Sequence, residues 1–126
     1  MRTSLYLVTY LVLSICGAQA QTESDQAAAD LQFHKLLDAQ EHKDYDAFVA
    51  NGTLQLKAAL TKTQFDASSD IMIGQMKDGY DIDSLGELNQ KGYQVYLYRL
   101  HFKNGGDDML GTLTLKNGQV AGIYFH

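Results

Sequence analysis

Cysteine is nearly absent from this 126-residue chain: Cys16 is the only one. It sits in the apolar opening stretch, so the chain beyond it has no thiol. That excludes a disulfide framework, a cysteine nucleophile and any zinc site built on thiolates. Proline and tryptophan are wholly missing. Without proline there is no proline-rich linker, and no low-complexity segment stands out. Basic residues are also scarce. The formal net charge is −5, and Arg99 is the only arginine after Arg2. A nucleic-acid binder shows a clustered basic face, and no such cluster exists here. The same deficit argues against an anionic membrane surface as partner.

No long hydrophobic run is present either. Leu5 to Ile15 is almost wholly apolar but too short for a membrane span, which needs about 20 residues. Arg2 ahead of it and Ala18-Gln19-Ala20 behind it have the form of a secretory leader. This pattern predicts a signal peptide over residues 1–20, cleavage before Gln21, and a periplasmic or secreted product with no stable membrane insertion. Leu13-Ser14-Ile15-Cys16 is loosely lipoprotein-like, but Ile15 is bulky where a small residue belongs. The remainder, residues 21–126, is long enough for one hydrophobic core and is read as a single α+β domain.

Helical periodicity dominates the first half. Ala29, Phe33, Leu36, Leu37 and Gln40 recur at three- and four-residue spacing, with the apolar members on one stripe. Asp44-Tyr45-Asp46 opens a further helical stretch with Phe48 and Val49 inward. Asn51-Gly52 either stops it or bends a longer helix, and Asn51-Gly52-Thr53 is formally a glycosylation sequon. Thr61 and Gln64 have capping-box spacing ahead of a third helix ending near Met76. The period then shortens to two. Strands are expected over Ile82–Leu88, Tyr93–Phe102, Met109–Leu115 and Val120–Phe125. Asn117-Gly118 marks a tight hairpin turn. Helices followed by an antiparallel meander predict a helix layer on one face of a sheet. Gly111 and Gly122 either permit strong curvature or allow close helix packing.

Three segments carry a family resemblance: Tyr45-Asp46-Ala47-Phe48-Val49; Lys57-Ala58-Ala59-Leu60-Thr61 with Gln64-Phe65; and Leu113 through Gly122. Together with Phe102-Lys103 before a glycine turn, they resemble the small exported bacterial DUF3887 family. That family belongs to the cystatin-like, cone-shaped group of nuclear transport factor 2 (NTF2-like). The resemblance implies N-terminal helices on a curved antiparallel sheet. It also implies an uncharacterised role, read as a non-catalytic ligand-binding or protein-interaction module of the cell envelope. The alternatives are a cone-fold isomerase or hydrolase acting on a hydrophobic small molecule, and a structural dimerisation domain.

No motif decides whether the chain is an enzyme. There is no H-E-x-x-H, calcium loop, nucleophile elbow or phosphate-binding loop. Neither a metal nor a cofactor is expected. Asp66, Asp70 and Asp83 stand in polar or helical surface contexts, and none aligns with an isomerase base. Tyr93, Arg99 and His101 share one side of the longest strand with Val95 and Leu97, while Tyr96 lies on the other. Tyr93, Tyr96, Arg99 and His101 form the candidate ligand site, with Tyr96 included against the opposite facing. An inward Arg99 needs a carboxylate or a bound anion. The expected partners are therefore a small apolar or acidic ligand, or a second copy docked through the sheet face.

Overall fold

The computed structural model describes residues 25–126. The leader expected over residues 1–20, with Cys16 and the periplasmic or secreted location drawn from it, lies outside the described residues. Compact packing divides the chain between Leu31 and Gln32. In the first unit the described residues open helix α1 (25–41), where Gln26 Nε2 donates to Asp30 Oδ1 at 2.8 Å and Ala29 is buried.

The second unit, Gln32–His126, contains the rest of α1, then α2 (Tyr45–Val49), α3 (Leu54–Ala59) and α4 (Lys62–Met76). Four strands follow: β1 (Tyr80–Gln90), β2 (Tyr93–Phe102), β3 (Met109–Lys116) and β4 (Gln119–Phe125). The α1 stripe is buried as its spacing predicts, with Phe33, Leu36, Leu37 and Gln40 all at or below 2% exposure. The helix ends with paired reverse bonds. Asp44 N–H donates to Ala39 O at 2.8 Å and Lys43 N–H to Gln40 O at 3.2 Å, with Lys43 at φ 52°. This arrangement satisfies carbonyls that a helix end otherwise leaves open.

Asn51-Gly52 is a stop and not a bend. Gly52 forms a parallel bridge with Val120, whose backbone exchanges bonds with Asn51 O (2.8 Å) and Thr53 N–H (2.9 Å). A Cβ on Gly52 would lie 3.0 Å from Leu56 Cδ2 and 3.1 Å from Val49 O, so only glycine makes this crossing without a shift. The helical region therefore has one more break than the sequence pattern counted. The capping box of α4 is present: Gln64 N–H donates to Thr61 Oγ1 at 3.2 Å and Thr61 N–H to Gln64 Oε1 at 3.1 Å.

The sheet is an antiparallel meander in the order β1-β2-β3-β4. Asn117 (φ 51°) and Gly118 (φ 78°) supply the positive φ pair of the last hairpin, flanked by Lys116 and Gln119. β1 runs two residues further at each end than its sequence pattern suggested: its hairpin to β2 closes through Lys91 and Gly92 alone, and at the other end Tyr80 and Asp81 pair with Phe102 and His101.

The expected curvature is absent. The sheet is flat and open, with β1 and β4 as separate edges, and it does not form the cone of cystatin-like or NTF2-like folds. The α+β class and the helices-then-sheet order stand. The DUF3887 and NTF2-like resemblance does not, nor do the cell-envelope module, the cone-fold enzyme and the dimerisation domain drawn from it. Gly111 explains part of the difference, because it serves packing. A Cβ on Gly111 would sit 2.7 Å from Phe33 Cζ, and one on Gly122 would sit 3.2 Å from the Tyr124 ring. The local irregularities, at Ser84/Gly86 and Thr114/Leu115, fall on different strand pairs and do not join the edges.

Candidate functional site

The helix-facing side of β2 carries Tyr96, Tyr98, Leu100 and Phe102, all at or below 1% exposure. Phe33 stacks on Tyr98 with ring centroids 4.1 Å apart, which fixes this side as the inner one. Strand alternation then sends Tyr93, Arg99 and His101 to the opposite face.

The four residues singled out from sequence therefore do not converge. Tyr96 lies beneath the helices, its hydroxyl donating to Gln94 Oε1 at 2.8 Å. Tyr93 carries the Lys116 ammonium 5.1 Å from its ring centroid. Arg99 sits directly across from Asp83 on β1, and its Nε donates to Asp83 Oδ2 at 3.1 Å. That bond and the carboxylate charge raise the Arg99 pKa above its already high value. His101 Nδ1 lies 2.7 Å from Asp108 Oδ1. Asp70 pairs with Lys43, and Asp66 receives a bond from Lys62 Nζ at 3.0 Å. These acids are engaged in surface ion pairs.

A different place has the shape of a site. A cleft of about 420 Å³ lies between the helices and β4. This is within the range of small-molecule pockets, roughly 300–1,000 Å³. Phe48 and Phe65 form part of its wall, their rings 4.9 Å apart, and Tyr45 backs Phe65 edge-on at 5.7 Å. The Tyr45 hydroxyl donates to Leu60 O at 2.7 Å, which pins the end of α3 beside the cleft. Leu56 and Leu60 supply aliphatic surface, and the 122–125 segment of β4 closes the other side. None of the lining residues is charged.

One corner is polar. Gln40 comes from the α1 stripe and is only 2% exposed. Its Nε2 donates to Ser68 Oγ at 3.0 Å, while its Oε1 has no hydrogen-bond partner. An unmet buried acceptor costs about 1–3 kcal/mol. Among the described residues, two other buried side-chain oxygens lack partners, Asp66 Oδ1 and Ser69 Oγ, but neither residue lines the cleft. The sequence carried one signal for this site: Gln40 is the polar member of an otherwise apolar stripe.

No metal site is expected from the sequence, where His42 shows no metal-ligand spacing, yet Asp38, Glu41 and His42 bring potential metal-ligand atoms within 4.8 Å of one another. All are exposed, and His42 Nδ1 lies 2.8 Å from the Asp38 carbonyl oxygen. That contact, reinforced by the Asp38 carboxylate, raises the His42 pKa above 6.5. The group is a solvated helix end. Among the described residues no helix is long and apolar enough to cross a membrane.

The search against known protein families finds no family model that matches this chain. The search of curated proteins likewise finds no significant match.

Proposed function

We propose that this chain binds a small, mostly apolar molecule in the cleft between its helices and β4. The observation that carries the reading is the uncharged, aromatic-walled space of about 420 Å³ with a single buried polar corner at Gln40. Such a composition suits a ligand held by apolar burial and oriented by few polar contacts. The reading rests on this local geometry and needs no cone.

Magnitudes set its strength. Each buried methylene contributes about 0.8 kcal/mol. A body of roughly eight carbons gains about 6 kcal/mol, and association costs an estimated 4 kcal/mol or more. Binding of a minimal probe therefore falls in the weak range, and tighter binding requires a larger body or a polar anchor.

The test uses the neutral fluorophore N-phenyl-1-naphthylamine with the full chain. Saturable enhancement at one site per chain is expected. Ala59 lines the cleft and is exposed, so Ala59→Trp obstructs the space without overpacking the core. That variant should fold normally and lose the enhancement. Non-saturable fluorescence, or equal binding by Ala59→Trp, refutes the reading.

A further inference from the structure

We infer that the cleft takes an extended peptide, which pairs with the free edge of β4 as a fifth strand and directs alternate apolar side chains between β4 and the helices. This rests on the binding reading above and specifies its ligand class. An apolar space alone does not distinguish a compact molecule from a length of chain. The backbone of β4 does.

β4 is one edge of the sheet. Leu110 and His126 exchange both backbone bonds at 2.9 Å, so they form a hydrogen-bonded pair at the end of the β3–β4 ladder. Bonded and non-bonded pairs alternate along an antiparallel ladder. Phe125 opposite Gly111 and Ile123 opposite Leu113 are therefore non-bonded pairs, and their N–H and C=O groups point away from β3. Both residues line the cleft, together with Gly122 and Tyr124. A space against one face of a strand meets every second residue. A space that meets four in succession reaches the edge.

One neighbour already uses this edge. Val120 N–H donates to Asn51 O at 2.8 Å, and Val120 O accepts from Thr53 N–H at 2.9 Å. Beyond that bridge the chain enters α3, whose Leu56 and Leu60 line the cleft opposite β4. Among the described residues, no other backbone bond from outside the sheet reaches Val120, Ile123 or Phe125. An extended segment beside Ile123 and Phe125 prolongs the pairing that the 51–53 segment begins.

The two sheet edges differ in their fitness for pairing. β1 carries Asp81, Asp83 and Glu87 and a register irregularity at Ser84/Gly86, features that discourage strand addition. β4 has no charged residue and no proline, and its pairing is regular from Gly122 to Phe125. Such an edge is a template for another chain. Walls on both sides leave width for one strand, whereas a second copy would bring a whole sheet. Alternate side chains of the added strand point the way Ile123 and Phe125 do, toward Phe48 and Phe65. No charged residue lines the cleft, so these inward positions select apolar side chains. The outward positions lie beside exposed Tyr124 and admit polar ones.

The probe is the blocked peptide acetyl-Thr-Leu-Thr-Leu-Thr-amide, added to the isotope-labelled full chain. It should displace N-phenyl-1-naphthylamine saturably. At 90% saturation it should slow amide hydrogen exchange at Ile123 and Phe125 about tenfold, the factor set by the remaining free fraction. Tyr124, whose N–H faces β3, should not change. An analogue N-methylated at every residue keeps the side chains and loses the donors. It should bind about thirtyfold more weakly, the loss expected from two net hydrogen bonds. Replacing both leucines by glutamate should abolish saturable binding.

If neither the fluorophore nor the peptide binds, the cleft reading itself fails. If the fluorophore binds and the peptide does not displace it, the cleft reading survives and strand pairing is overturned. The same holds if the N-methylated analogue binds as well as the parent, if the glutamate peptide binds saturably, or if exchange at Ile123 and Phe125 is unchanged at saturation. Concentration-dependent protection of those two amides without peptide, with a heavier species in sedimentation, would assign the edge to a second copy and overturn the inference.

Discussion

Gly111→Ala is the sharpest test of how the helix layer meets the sheet. The added Cβ would stand 2.7 Å from Phe33 Cζ, 3.1 Å from Phe33 Cε2 and 3.2 Å from Leu100 Cδ1. Carbon atoms in contact prefer about 3.5–4.0 Å, so the first distance is short by nearly 1 Å. Phe33 has no room to yield. It is 0% exposed and stacked on Tyr98 at 4.1 Å. Overpacking of this kind costs about 1–3 kcal/mol. Replacing a strand glycine returns about 0.5–1 kcal/mol of backbone entropy. The expected net loss is about 1.5 kcal/mol. In urea denaturation of the full chain the midpoint should fall by about 1 M with an unchanged slope. Phe33→Leu removes the clashing ring atoms. It should therefore make Gly111→Ala nearly free, a coupling of about 1.5 kcal/mol in a double-mutant cycle. A Gly111→Ala protein within about 0.5 kcal/mol of the parent would refute the close packing of α1 on β3.

Other expectations are independent of that contact. Thr61→Ala removes the acceptor for Gln64 N–H and should destabilise the chain by about 1 kcal/mol in the same assay. An unchanged midpoint would show that the capping box contributes nothing. His42 should titrate above 6.5 by proton NMR, and Asp38→Asn should lower the midpoint part of the way, because the Asp38 backbone oxygen remains. A raised folded-state pKa adds stability that is fully present below the unfolded value and is lost as pH rises through the folded value. A His42 midpoint at or below 6.5 would contradict the helix-end contact. Export, proposed from Ala18-Gln19-Ala20, should give a product whose intact mass begins at Gln21. A chain retaining Met1, or one lipidated at Cys16, would contradict it.

Several local features were legible because neighbours in sequence decide them. The α1 stripe depends on a 3.6-residue period, and the α4 start depends on Thr61 and Gln64 three positions apart. The last hairpin depends on two residues, Asn117 and Gly118, that accept positive φ. Gln40 was visible too, as a polar residue on an apolar stripe, but its importance was not. The four-residue site proposed on β2 shows the opposite case. Alternation correctly divided Tyr93, Arg99 and His101 from Tyr96, yet both sides carried aromatic residues. Only the stack of Phe33 on Tyr98 identified the inner one.

The sequence by itself determined the order of helices and strands and which side chains of β2 travel together, because backbone period and turn chemistry act over a few residues. Tertiary structure alone decided the open, flat sheet, since strand edges join or stay apart through contacts that no local period encodes. It alone decided the role of Gly111, which depends on a phenylalanine far earlier in the chain. It alone assembled the cleft, whose walls come from Gln40, Phe48, Phe65 and the 122–125 segment of β4. The unmet acceptor on Gln40 belongs to the same class. Whether a buried oxygen has a partner is settled by what the folded chain places beside it.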